Sequence, residues 1–182
     1  MKVISTNIGT PREIVWEGTV HQTGIYKKPI DAIRVRKYFI EGDTVSDLRV
    51  HGGEAKTVYG YPSEHYPFWR QEHPAMEFPW GTFGENLTTE GLFEREVLAG
   101  SVYRIGTAVL RVTRPRFPCF KLAVRFGTTV IIKQFMKSRK SGFYFTVVEE
   151  GLIRPGDAIH LEESGDPGCT ILDMVNSHDP GE

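Results

Sequence analysis

Val102-Tyr103-Arg104-Ile105-Gly106-Thr107-Ala108-Val109-Leu110-Arg111-Val112 sets two apolar, β-branched segments either side of a Gly-Thr step. Both flanks are too short for a stable helix and favour extended backbone, so the stretch predicts a β-hairpin turning at Gly106-Thr107. Short segments of the same kind recur towards the amino end. Glu13 to Val20 and Ala32 to Val35 are predicted strands, punctuated by Gly9-Thr10-Pro11, Gly24 and Lys28-Pro29. Phe143 to Val148 and Ala158 to Leu161 are predicted closing strands, joined by a turn at Arg154-Pro155-Gly156-Asp157. Helical spacing is confined to two places. Tyr61 to His73 has Tyr66, Phe68 and Trp69 as apolar bulk and Ser63 as a candidate cap, while Thr128 or Thr129 to Lys140 pairs Ile131 with Phe135 and Ile132 with Met136, with Gly142 as a plausible stop. Many short strands and few helices imply a mainly-β single domain, a closed or nearly closed barrel with a few short helices. It is assigned to residues 1–163, followed by a polar, flexible tail over 164–182.

Downstream of the hairpin lies Thr113-Arg114-Pro115-Arg116-Phe117-Pro118-Cys119-Phe120-Lys121-Leu122. Pro115 and Pro118 fix two φ angles and withhold two N–H donors, which predicts a preset loop. It presents Cys119 among Arg114, Arg116 and Lys121. Neighbouring positive charge favours thiolate over thiol, the form that attacks electrophiles and ligates soft metals. Between Val97 and Val148 there are ten Lys or Arg and no Asp or Glu, whereas the other residues hold all 23 acids and 12 bases. A solvated face is the plain explanation for one charge, but 52 consecutive residues of one sign around a cysteine point to an anion site, for phosphate or nucleic acid.

Composition narrows the classes. At 182 residues, 40% hydrophobic and 25% charged, the chain suits one soluble domain, and no apolar run approaches the roughly 20 residues that span a membrane. No secretory signal is visible at the amino end, and two cysteines fifty positions apart make no disulfide framework, so a reducing cytoplasm is expected. No dinucleotide-binding, Walker or zinc-spaced motif is present.

Other polar positions leave alternatives open. Lys27 and Lys28, before the turn at Pro29, are within reach of an anion or merely solvated. His51, ahead of Gly52-Gly53, is on spacing alone a loop imidazole. Phe83-Gly84-Glu85-Asn86-Leu87 offers turn chemistry or, equally, a carboxylate and amide that hydrogen-bond a heterocycle. His65 and His73 have no metal-type partner at helical spacing and are assigned no catalytic part.

Glu41-Gly42-Asp43, Val50-His51-Gly52-Gly53, Tyr61-Pro62-Ser63-Glu64-His65-Tyr66, Phe83-Gly84-Glu85-Asn86-Leu87 and Pro115-Arg116-Phe117-Pro118-Cys119-Phe120-Lys121-Leu122 occur in the order and approximate spacing of one family. From about Lys28 to Glu162 the chain resembles the MOSC domain, the molybdenum cofactor sulfurase C-terminal domain, and within it the stand-alone bacterial YiiM-like branch. The resemblance implies a mainly-β barrel that binds molybdenum cofactor (molybdopterin), with Cys119 as thiolate on molybdenum or as sulfur carrier. It also implies that His51 and Lys56 hold the pterin or its phosphate, that Glu85 and Asn86 line the pocket, and that Arg116 pairs with the phosphate, with Lys121 beside it. Lys56 stands where many relatives have arginine, a point charge in place of a bidentate fork.

The implied activity is reduction of small N-hydroxylated bases or amines, with an external electron-donating reductase as partner. A second reading is a sulfur carrier that passes persulfide sulfur from Cys119 to a metal-sulfur centre; with no pyridoxal-phosphate domain on this chain, it needs a separate sulfur donor protein. An anion- or nucleic-acid-binding module ranks third, because few aromatics lie between the arginines. No membrane partner is expected.

Overall fold

The computed structural model describes residues 1–44 and 54–178. In chain order its strands are β1 (Lys2–Gly9), β2 (Arg12–Trp16), β3 (Thr19–Thr23), β4 (Lys27–Ile30), β5 (Ile33–Val35), β6 (Val58–Pro62), β7 (Leu87–Glu90), β8 (Val102–Ile105), β9 (Ala108–Pro115), β10 (Phe143–Glu149), β11 (Gly151–Ile153) and β12 (Ile159–Glu163). The helices are α1 (Tyr66–Glu72), α2 (Phe120–Phe126), α3 (Val130–Ser138) and α4 (Ile171–Ser177).

Eight strands form one sheet in the order β12-β8-β9-β10-β6-β7-β1-β4, antiparallel throughout except for β6 beside β7. Alternation builds its inner face: Phe143, Phe145 and Val147 of β10 are buried together with Leu110 and Val112 of β9. The ladder does not close into a barrel. The sheet curls until the start of β1 meets the start of β12, where Lys2 bridges Ala158 and the Ile159 N–H donates to the Met1 carbonyl at 3.0 Å. A mainly-β fold with four short helices is therefore what the chain adopts, as a curled open sheet. Against β6 and the helices stands a second, aromatic cluster, with Tyr61, Tyr66, Trp69, Phe83 and Phe135 at its centre. Trp69 Nε1 donates to the Tyr61 hydroxyl at 2.6 Å, so even this layer leaves its polar tips satisfied.

The hairpin at Gly106-Thr107 forms as predicted, in register Ile105 to Ala108. Glu13 to Val20, predicted as one strand, is instead the hairpin β2–β3, because Glu17 (φ 48°) and Gly18 (φ 76°) both take the left-handed conformation that a two-residue turn needs. Tyr61 belongs to β6, and the helix begins only at Tyr66, after a 3-10 turn over Ser63–His65 in which Ser63 makes no capping bond. The Thr113–Leu122 stretch is less purely loop than predicted: β9 runs on to Pro115 at one end and α2 begins at Phe120 at the other. Arg139, at φ 59°, ends α3 in place of Gly142. Gly142 has another use, since a Cβ there would stand 2.4 Å from the Gly60 carbonyl oxygen. The tail expected to be flexible carries α4, capped by reciprocal bonds between Thr170 and Asp173, with Ile171 and Val175 buried. Among the described residues no helix is long and apolar enough to cross a membrane.

Candidate functional site

Three elements converge on one cavity. From β9 the chain passes through Arg116, whose N–H donates to the Gly142 carbonyl at 3.3 Å, and Phe117 to Cys119, the residue before α2. Opposite stand the β3–β4 connection and Asp43; the 83–86 loop closes the floor. Lys56, Asn86, Arg116, Cys119 and Lys121, five of the seven predicted site residues, line this cavity. Glu85 does not. His51 lies outside the described residues.

Glu85 sits behind the floor, fully buried. Its carboxylate accepts from the Gly81 N–H at 2.8 Å, the Phe83 N–H at 3.1 Å, the Thr88 hydroxyl at 3.0 Å and the Tyr66 hydroxyl. Burial pushes its pKa up, against the pull of those donors. A carboxylate so occupied braces the 81–85 turn and has no edge turned towards a ligand. Asn86 faces the cavity but is similarly committed: its amide nitrogen donates to Asp43 at 2.8 Å and to the Asn7 carbonyl at 3.3 Å, and its oxygen accepts from the Tyr59 N–H at 3.2 Å. The floor is a finished hydrogen-bond network.

Asp43 and Lys27 complete it. Lys27 Nζ lies 2.6 Å from both Asp43 oxygens, and Asp43 also accepts the Gly9 N–H at 2.8 Å. Burial pushes the Lys27 pKa down while Asp43 opposes the shift. Sequence reasoning offered Lys27 as an anion ligand or a solvated lysine, and passed over Asp43 apart from the family motif. Its partners lie far away in sequence, at Gly9, Lys27 and Asn86, and no local spacing reveals such a junction.

The wall carrying Arg116 is built differently. Arg116 is 5% exposed, yet its Nη1 is buried with no hydrogen-bond acceptor among the described residues. Its guanidinium carbon stands 5.0 Å from the Phe135 ring centroid and 5.7 Å from that of Tyr59. Burial works against its charge, but Tyr59, Tyr144 and Cys119 outweigh it and the net shift is upward. The Tyr59 and Tyr144 phenols are themselves pushed up by burial, so both stay protonated at neutral pH. Lys56 is pushed down by burial and by the nearby Arg114 charge. With Lys121 the described lining holds four cationic side chains and a single carboxylate, Asp43. The cavity has a cationic lining with a thiol in its wall.

His65 and His73 do not line this cavity. His65 Nε2 contacts both Glu94 oxygens at 2.8 and 3.0 Å, Glu94 takes the Gly142 N–H at 2.7 Å, and His73 Nε2 meets Gln134 Oε1 at 3.0 Å. Among the described residues no group of three or more His, Cys, Asp and Glu is placed to hold a metal ion.

The sequence pattern of the MOSC domain matches residues 47–160, more than half of the chain and the whole span from the β6 region to β12. The chain belongs to the MOSC domain family. This is a family associated in general with molybdenum-cofactor binding. Uncharacterized protein YflK of Bacillus subtilis is 40% identical over 180 residues, covering 97% of this MOSC chain and 81% of YflK. Protein YiiM of Escherichia coli is 38% identical over 124 residues, covering 67% of this chain and 55% of YiiM. A protein named Reductase from Gibberella moniliformis is 36% identical over 127 residues, covering 68% of this chain and 23% of that protein. The crystal structure of YiiM from Geobacillus stearothermophilus superposes with a TM-score of 0.79 at 35% identity, covering 96% of this chain and 82% of that one.

Proposed function

We propose that this MOSC protein holds molybdenum cofactor in the cavity, with the Cys119 thiolate on the metal, and reduces small N-hydroxylated bases or amines. One observation carries the reading: a buried guanidinium nitrogen without an acceptor, in the same cationic lining as a cysteine. An orphaned buried donor is costly unless something arrives to accept from it. The residues present fit such a group. Arg116, Lys56 and Lys121 suit its phosphate, and the single thiol suits a soft metal whose other ligands travel with it.

When bound, the cofactor supplies two-electron chemistry, by which R–NHOH takes up two electrons and two protons to give R–NH2 and water, an external reductase replacing the electrons. The chain's own residues orient and enclose. Lys27, locked by Asp43, keeps an ammonium at the floor, with two of its hydrogens directed at the carboxylate. Tyr59 and Tyr144 are held protonated; the Tyr59 hydroxyl donates to the Ser141 carbonyl at 2.8 Å, which leaves Tyr144 as the hydroxyl that can face whatever fills the cavity. Lys56 holds its proton less tightly than a free lysine does, which suits it to passing one inward. Phe83 and Phe117 exclude water from the lining. A cytoplasmic setting, where thiols stay reduced, suits this reading.

Molybdenum content by elemental mass spectrometry, on protein from a cofactor-replete host, tests the reading. Near-stoichiometric metal in the native chain, lost in Cys119→Ser, is the expected outcome. Metal in neither protein, with cyanide-labile sulfane sulfur on the native chain alone, overturns it in favour of a sulfur carrier.

A further inference from the structure

A cationic cluster stands beside the cavity without lining it. Arg12, the first residue of β2, and Arg125, near the end of α2, both lie against the ring of Tyr26, with guanidinium carbons 4.3 and 4.8 Å from its centroid. The ion pairs among the described residues include neither guanidinium. Arg125 Nε is buried with no acceptor among those residues. Two like charges gathered on one ring repel each other, and burial of the Nε–H adds a donor that nothing in the protein satisfies. Burial pushes Arg125 below its ordinary pKa, Tyr26 opposes this, and Arg12 adds to it. Such a cluster is under-compensated in the same way as Arg116.

Its position is fixed by four residues of the cavity wall. Arg12 pairs directly with Thr23 across the β2–β3 hairpin, and Thr23 lines the cavity. Tyr26 sits between Ile25 and Lys27, which also line it. Arg125 lies one turn along α2 from Lys121, on the same helix face. The hairpin is itself clamped onto α2, with Phe120 5.7 Å from Trp16 and 4.9 Å from His21, centroid to centroid. The cluster therefore sits just outside the rim, on elements that are packed together.

We propose that Arg12, Tyr26 and Arg125 form a second anion subsite that takes a phosphate group of the molecule being reduced. A carboxylate has only two oxygens to set against two guanidinium forks and a phenol, whereas a phosphate dianion has three and can face both forks at once. The inference rests on the reductase reading only for what the phosphate is attached to: an N-hydroxylated compound whose reactive nitrogen enters the cavity while its phosphate stays at the rim, as in a nucleotide and not a free base.

The test uses the metal-free full chain and arginine Nε–H resonances at constant ionic strength. Inorganic phosphate shifts the Arg125 signal saturably, Arg12→Gln weakens that binding by about tenfold, and the Arg116 signal in the same variant titrates as in the native chain. Adenosine 5′-monophosphate binds more tightly than adenosine, and Arg12→Gln, an exposed hairpin change that spares the core, removes the difference. A non-saturating Arg125 shift, or one indifferent to Arg12→Gln, overturns the subsite. Equal binding of nucleotide and nucleoside by the native chain overturns its role in substrate choice. Cys119→Ser loses molybdenum while its Arg125 signal still titrates with phosphate, so loss of the metal-ligand role and loss of the subsite register separately.

Discussion

Glu85 and Arg116 are both buried charged residues within reach of one cavity, and their surroundings are opposite. Four donors converge on the Glu85 carboxylate, from Gly81, Phe83, Thr88 and Tyr66, whereas Arg116 keeps a buried Nη1 with no acceptor among the described residues. The floor that holds Glu85, Asn86, Asp43 and Lys27 is complete without a ligand. The wall that holds Arg116 and Cys119 is not. Saturated polar burial specifies a shape, whereas an unsaturated buried donor calls for an acceptor, be it water, ion or ligand. Predicted site residues therefore divide by what their polar atoms already do, and only secondarily by whether they touch the cavity.

Asp43 gives the largest expected effect, because three donors depend on it. Side chains at 7% and 4% exposure make Lys27–Asp43 a buried ion pair, so Asp43→Ala strands an ammonium, the Gly9 N–H and one Asn86 hydrogen together. Breaking such a pair from one side costs about 3–5 kcal/mol. Urea unfolding should show a midpoint shift of that size, and adding Lys27→Met should restore part of it by removing the stranded charge. A midpoint unchanged in Asp43→Ala would break the claim that the floor is self-sufficient.

Glu85→Gln comes next, at about 1–3 kcal/mol, because an amide directs N–H groups at the donors that the carboxylate satisfied. Its pH dependence sharpens the case. The folded pKa of Glu85 is raised above its ordinary 4.5, so the folded chain binds this proton more tightly than the unfolded chain. The stability this contributes is complete below the unfolded value and is lost as pH rises through the folded one. Unfolding free energies measured upward from about pH 4.5 should therefore show the advantage of the native chain over Glu85→Gln shrinking with pH. A growing advantage would mean that the donors outweigh burial, the reverse of the assignment.

How much of this was visible in the residues follows the same division. The cysteine loop, the acid-free third and the hairpin at Gly106-Thr107 are local, and local chemistry is legible in sequence. The β2–β3 turn was missed because Glu17 carries a left-handed φ that glycine or asparagine usually signals. Composition over Ser164–Gly168 concealed α4, although Thr170 and Asp173 at capping-box spacing were there to be noticed. The family resemblance placed Glu85 on the cavity, while carboxylate beside amide left turn chemistry and heterocycle binding equally open. Its four donors come from a turn and from Tyr66 and Thr88, a convergence only the folded chain creates. Arg116 was legible as a cation, but its missing acceptor is a property of packing and has no sequence signature.

Arg116 gives the smallest change in stability and decides the comparison. Replacing it with Gln removes a buried charge whose Nη1 had no acceptor, so the desolvation penalty goes with it and the unfolding free energy should move by less than about 1 kcal/mol in either direction. Its ring contacts with Phe135 and Tyr59 are lost as well, which sets the lower side of that range. Binding should respond far more. A charge-assisted bond to phosphate corresponds to about tenfold or more in affinity, so inorganic phosphate at the cavity, followed through the Lys56 and Lys121 ammonium signals, should weaken by at least that factor. Arg116→Lys keeps the charge without the fork and should fall between the two. Were Arg116→Gln instead to unfold as readily as Glu85→Gln while binding phosphate normally, its guanidinium would be part of the frame, and a missing acceptor would no longer separate the wall that receives a ligand from the floor that shapes it.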